Sequence, residues 1–268
     1  MKKIAQISDL HFGTEDNNVL EGLLSDLTSV SPDVLVVSGD LTQRARTSQF
    51  RDAKDFLDKL PFPKVIVPGN HDIPLFDIFR RFLFPLTRYK KNITKDLSPV
   101  YEDDELVVFG INTARSLTWK EGRISVEQIS EMKKTLCGIS NSKFKIVVTH
   151  HPFIPPPGNP GIAMVGRSVK ALKIIDECCV DLLLAGHLHH GYNGDIRPYY
   201  PARERSVISA QAGTAISNRR RNEQNAYNII TVERKYISIE IRTWNDTAFE
   251  NSLSTVYKLT NNEWIRES

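Results

Sequence analysis

Lys64-Val65-Ile66-Val67-Pro68-Gly69-Asn70-His71-Asp72 shows the pattern that organises the chain: a short apolar run, a breaker, then side chains carrying oxygen or imidazole nitrogen. Lys64 to Val67 is too short for a helix and rich in β-branched residues, which predicts a strand closed by Pro68-Gly69. The pattern recurs four times. Lys3 to Ser8 leads into Asp9-Leu10-His11, and Val34 to Ser38 into Gly39-Asp40. Lys145 to Thr149 leads into His150-His151-Pro152, and Asp181 to Ala185 into Gly186-His187-Leu188-His189. Ligands of open α/β sheets bind beyond the carboxyl ends of the strands, so these five loops are expected to converge on one crevice.

Between the strands the apolar period changes. Val19, Leu20, Leu23, Leu24 and Leu27 recur at helical spacing, as do Phe50, Ala53, Phe56, Leu57 and Leu60. Ser125 and Gln128 form a capping box for a third helix. A fourth is predicted from Ser168 to Cys178, with Val169, Leu172 and Ile175 on one face. Leu106 to Asn112 reads as a further strand. Alternating strands and covering helices indicate an α/β chain. From about residue 205 the pieces become strand-like (Ser206 to Ala210, Asn225 to Glu233, Tyr236 to Trp244), which predicts an antiparallel end forming a second sheet packed on the first. No linker divides the chain, so residues 1–268 are expected to form one domain.

The composition, 40% hydrophobic and 25% charged over 268 residues, excludes a disordered or fibrous protein. A net charge of +3, with no long basic stripe, argues against a stable nucleic-acid partner. Three cysteines, Cys137, Cys178 and Cys179, make neither an even disulfide framework nor a thiolate zinc spacing. With no signal-peptide core and no apolar run of membrane length, the expectation is a cytoplasmic protein, with peripheral membrane contact left open.

Asp, His and Asn donors without thiolate suit Mn, Fe or Zn. A carboxylate can bridge two ions, and paired metals about 3.5–4 Å apart are a recurring device for displacement at phosphorus. Each motif alone is commonplace: Gly39-Asp40 could be an ordinary turn and His150-His151-Pro152 a strand exit. The ordered set is not. Asp-x-His, Gly-Asp, Gly-Asn-His-Asp, His and Gly-His-x-His resembles the calcineurin-like metallophosphoesterase superfamily, and within it the bacterial class III cyclic-nucleotide phosphodiesterases. The resemblance spans Lys3 to His189.

The fold it implies is a four-layer α/β/β/α sandwich of two packed mixed sheets with helices outside. Its implied ligands are Asp9, His11 and His189 for one metal ion and Asn70, His150 and His187 for the other, bridged by Asp40. His71 would be the catalytic residue that reaches the substrate phosphate, with Asp72 suggested as its partner by adjacency alone. His151 is read as structural, and His190 is left ambiguous. The implied reaction is hydrolysis of a small, nucleotide-like phosphodiester by a hydroxide bridging two divalent or mixed-valence ions, with 3′,5′-cyclic nucleotides as the first substrate class. A membrane-surface pyrophosphatase or lipid phosphodiesterase is the alternative, and a non-catalytic metal-binding scaffold is the alternative of another class.

Two basic segments lie outside the motifs. Residues 73–95 interleave Phe76, Phe79, Phe82, Leu83 and Phe84 with Arg80, Arg81, Arg88, Lys90 and Lys91. The favoured reading is a helix whose aromatics complete the core, with a membrane-interface or site-capping segment as the alternative. Arg219, Arg220 and Arg221 are candidates for substrate binding, against a solvated turn.

Overall fold

The computed structural model describes residues 1–203, 205–219 and 223–267. Lys2–Ile7 (β1), Val34–Ser38 (β2) and Lys64–Val67 (β3) run parallel, joined by the helices Asn17–Val30 (α1) and Thr47–Asp58 (α2). After β3 come Ile78–Leu83 (α3) and Thr87–Asn92 (α4), then the strands Val100–Glu102 (β4) and Leu106–Gly110 (β5). Val126–Leu136 (α5), Phe144–Val148 (β6), Ser168–Glu177 (α6) and Leu182–Ala185 (β7) follow. Tyr192–Asp195 (β8) and Ile208–Gln211 (β9) precede four antiparallel strands, Ala226–Glu233 (β10), Tyr236–Trp244 (β11), Phe249–Thr260 (β12) and Glu263–Arg266 (β13).

Two mixed sheets result, ordered β13-β12-β11-β10-β1-β2-β3 and β4-β5-β6-β7-β9-β8. Of the strand-like end only β9 therefore joins the second sheet among the described residues. β10 pairs antiparallel with the free edge of β1 and extends the first sheet, while the middle of the chain makes the rest of the second. β9, expected to be antiparallel with the rest of the tail, pairs parallel with β7 on one side and antiparallel with β8 on the other.

The strands read as unbroken apolar runs because both faces are buried, each in a different core. Val34 and Val36 point between the sheets, where they meet Val108, Ile146, Val148, Leu182 and Leu184. Leu35 and Val37 point outward to Leu23, Leu27 and Phe50 beneath α1 and α2. Val147 and Leu183 point outward to Met132, Leu172 and Ile175 beneath α5 and α6. Three cores between four layers make the α/β/β/α sandwich. Val169, expected on the buried face of α6, is exposed, and Ala171 is buried in its stead.

Cys137 and Cys178, which sequence spacing left unpaired, form a disulfide with a Cα–Cα separation of 4.4 Å. Each follows the last residue of a helix, α5 and α6, and these helices pack side by side, so the pairing is spatial and invisible in linear spacing. The cysteines therefore lend no support to the expectation of a cytoplasmic protein. No helix among the described residues is long and apolar enough to cross a membrane.

Buried amides cross the inter-sheet core, Gln6 among them. Gln6 is fully buried; its amide nitrogen donates to the Ala185 carbonyl of the other sheet at 2.8 Å, and its oxygen accepts from Asn228 Nδ2 at 2.9 Å. These bonds lie just below the Asp9 and Gly186 loops, where the two sheets must be held in register. Gln6→Ala is expected to cost about 1–3 kcal/mol, because it strands buried partners. Urea denaturation checks this, and an unchanged midpoint would show that the bonds contribute nothing to holding the sheets together.

Candidate metal centre

All five motif loops meet where the carboxyl ends of β1, β2, β3, β6 and β7 come together. Asp9, His11, Asp40, His187 and His189 all adopt left-handed backbone, with φ between 48° and 76°. Non-glycine residues rarely do so, at a cost on the order of 1 kcal/mol each, and such strain collects at functional sites. Close approach fixes the glycines as well. A Cβ on Gly186 would overlap Ser8 Oγ and lie 2.7 Å from Asp9 Oδ2, and Gly39, at φ 95°, lies against the His150 ring.

Asp9 is fully buried. Its Oδ2 accepts from Ser8 Oγ at 2.7 Å and from the His187 backbone N–H at 2.9 Å. Its Oδ1 has no hydrogen-bond partner and points at His11 Nε2 and His189 Nε2, each 3.6 Å away. His11 Nε2 is likewise buried without a hydrogen-bond partner. Asp40 accepts the His71 backbone N–H through Oδ1 at 2.8 Å, while its Oδ2 lies 3.4 Å from His150 Nε2 and 3.8 Å from His11 Nε2. Asn70 Oδ1 is 3.2 Å from His150 Nε2.

Separations of 3.2–3.8 Å are long for hydrogen bonds but match the spacing between neighbouring ligand atoms each about 2.0–2.2 Å from a common cation. The donor set fits metal ions: Asp9, His11 and His189 group together, and Asp9, Asp40 and His150 form an adjoining group. Outer partners set which imidazole nitrogen is presented. His150 Nδ1 donates to the Ser38 carbonyl at 2.8 Å, and His189 Nδ1 lies 2.6 Å from Thr214 Oγ1, which leaves each Nε2 facing the carboxylates.

The structure bears on three further residues of the motifs. His151, read as structural, groups with His150 and His187; its Nδ1 is 2.7 Å from Thr113 Oγ1 and its Nε2 is buried without a hydrogen-bond partner. Asp72 is not the partner of His71. It is buried and accepts from Gly69 N, Leu41 N, Thr42 N and Thr42 Oγ1, so it pins two loops together. His71 Nδ1 instead lies 3.0 Å from the Gln43 carbonyl, and its Nε2 lies 2.7 Å from Arg219 Nη1. The guanidinium can only donate, so Nε2 accepts and Nδ1 carries the proton. His190, left ambiguous, turns away to Glu223.

Arg219 thus reaches the site, whereas Arg220 and Arg221 lie outside the described residues. Beside His71, a cleft of about 270 Å³ is lined by Asn70, Arg44, Trp119, Lys120 and Arg219. Arg44, Trp119 and Lys120 carry no motif, and only folding brings them to the cleft.

Burial alone would lower the pKa of His150, but the nearby Asp40 and Asp9 carboxylates outweigh it and raise it to about 9. Burial would raise the pKa values of those carboxylates, yet the surrounding histidines hold both well below the usual range. Burial, with His150 beside it, drops His187 to about 3.

The matching family model is that of calcineurin-like phosphoesterases, over residues 2–191. The chain belongs to this family. It is accordingly a phosphoesterase enzyme of the dinuclear kind. It is 32% identical over 80 residues to a probable cyclic nucleotide phosphodiesterase of Synechococcus sp., a match covering 26% of this chain and 31% of that protein. It is 24% identical over 207 residues to the probable glycerophosphodiester phosphodiesterase GpdQ of Arcobacter nitrofigilis, covering 69% of this chain and 71% of that one. A solved dimetal phosphatase from Danio rerio superposes with a TM-score of 0.64 at 13% identity, covering 90% of this chain and 96% of that one, a likeness of fold.

Two outcomes follow from the geometry. A cation at Asp40 and His150 must displace the imidazolium proton, so metal affinity is expected to rise about tenfold per pH unit up to about 9 and then flatten. Calorimetric titration at several pH values reads this, and a flat profile would show that His150 carries no proton to lose. Gly186→Ala is expected to lower metal content sharply with the fold retained, measured by elemental analysis beside circular dichroism.

Proposed function

We propose that the chain hydrolyses a small phosphodiester at this centre, with 3′,5′-cyclic nucleotides as the first substrate class to test and Mn, Fe or Zn as the ions. The observation that carries the reading is the pair Asp9 Oδ1 and His11 Nε2, buried without hydrogen-bond partners among further carboxylates and imidazoles and close to a cationic cleft. Leaving such atoms unmatched costs about 1–3 kcal/mol or more each, a cost that bound cations remove.

Asp9, His11 and His189 would hold one ion and Asn70, His150 and His187 the other, with Asp40 between them. Two cations so held supply an activated water at neutral pH and neutralise charge developing on phosphorus oxygens. The protein's own groups do the rest. Arg44, Lys120 and Arg219 around the cleft complement the single negative charge of a phosphodiester. His71 would meet a phosphoryl oxygen or the departing alkoxide. Burial lowers its pKa, and Arg219 adds to that, so the ring is neutral at pH 7 with its proton on Nδ1. In that state Nε2 can only accept, so protonating a leaving group from it would require Arg219 to be displaced and Nε2 to take up a proton from solvent first. The exposed side chains of Phe76, Phe79 and Phe82 support a second reading, a lipid phosphodiester.

Hydrolysis of bis(4-nitrophenyl) phosphate, 4-nitrophenyl phosphate, cyclic AMP and a glycerophosphodiester, with and without Mn²⁺, tests the proposal. Metal-dependent cleavage of diesters ahead of the monoester is expected, and metal-loaded protein that cleaves none of them would favour a non-catalytic scaffold. Asn70→Ala is expected to weaken one metal. His71→Ala is expected to retain both and to lower kcat about 10²-fold or more, the usual scale for a lost acid–base or charge-stabilising group. A fully active His71→Ala would remove that residue from the mechanism.

A further inference from the structure

Helix α3 is built inside out. Of Ile78–Leu83, the residue it buries is Arg81, at 1% exposure, while Ile78, Phe79, Phe82 and Leu83 are 50–67% exposed. Phe76 and Phe84, on either side, are 78% and 54% exposed. The reading in which these aromatics complete the core fails for all of them, and it is Ile73, Leu86 and Tyr89 of the segment that do so.

The inversion is held in place. The Arg81 guanidinium donates to the carbonyls of Ser116 (2.9 Å), Pro74 (3.1 Å) and Thr118 (2.6 Å), and stacks 4.5 Å from the Trp119 ring. A buried guanidinium with three carbonyl partners fixes the helix rotation, so the apolar face cannot roll inward without stranding a charge. Loop 115–119 thereby lies against α3 and adds Leu117 (84% exposed) and Trp119 to the outward surface. A contiguous apolar face of this kind marks an interaction site.

Charge decides between occupants. Residues 73–95 hold six cations against one acid, Asp77, which pairs with Arg80. Arg80 and Arg88 line a groove of about 430 Å³ walled by Phe79 and Phe84, and Lys90 and Lys91 lie exposed on α4. In a symmetric pair of copies this patch would meet itself and set those cations against each other. An anionic lipid surface matches both features, taking the phenylalanines into the acyl boundary and the cations to the headgroups.

We propose that α3, α4 and loop 115–119 form a docking face for an anionic membrane, bordering the catalytic cleft. Arg44 links the two, lying 5.5 Å over the Phe76 ring while lining the cleft. The face does not depend on the metal assignments, because vesicle binding is read without turnover.

Flotation of the full chain with vesicles of phosphatidylcholine alone, or with 30% phosphatidylglycerol, tests this at low and at 0.5 M salt. Binding to the anionic vesicles at least tenfold tighter than to neutral ones, weakened by salt and lost in Phe79→Ser/Phe82→Ser, is expected. That double variant alters exposed residues only and should keep its activity on bis(4-nitrophenyl) phosphate. Absence of vesicle binding would overturn the proposal, as would equal binding of the variant. A dimer in sedimentation that the variant disperses would also overturn it, by assigning the face to a second copy.

Discussion

The Asp40 carboxylate is the charge around which the site is arranged. It is 1% exposed and sits between the imidazoles of His11 and His150, with its other oxygen fixed by the His71 backbone N–H. A buried carboxylate without compensating charge would protonate. Here it stays ionised because groups from both sheets converge on it, and that convergence requires the sheets to present their strand ends at one place. The Gln6 bridge, the glycines beneath His150 and Asp9, and the four-donor hold on Asp72 all serve that alignment. Stability and function share these groups, so a change that loosens the packing between the sheets also disperses the donors.

Much of this was legible in the sequence, for identifiable reasons. The strands β2, β5, β6 and β7 are buried on both faces and, with β1 and β3, read as plain apolar runs, and donor residues directly follow β1, β2, β3, β6 and β7. α1, α2 and α5 carry one-sided apolar periods, and α5 also a cap. β12 was not foreseen because much of its length is exposed and polar, so Phe249 to Thr260 lacks the alternation that marks a strand. The placement of β10 on the first sheet was misjudged because a pattern of strands does not state which free edge accepts them.

Within the site, the donor atoms were readable and their supports were not. Arg44, Trp119 and Lys120 reach the cleft through tertiary contact, and no motif marks them. Adjacency misled at Asp72, whose neighbour in the chain is His71 but whose hydrogen bonds all go to backbone or to Thr42. Amphipathicity misled at α3, where the count of aromatics and cations was right and the face inverted. The Arg81 side chain found three carbonyls to satisfy it, and a guanidinium so satisfied can occupy an interior position that a phenylalanine would otherwise fill.

The left-handed backbone at Asp9, His11, Asp40, His187 and His189 also limits how this centre can evolve. Each position is selected twice, once for its donor atom and once for a backbone shape that β-branched or bulky side chains resist. Asparagine meets both demands with little strain and threonine meets neither, so drift at these sites should run along Asp, Asn and His. The range of metal preferences open to this chain's descendants is thus bounded by backbone conformation before coordination chemistry is consulted.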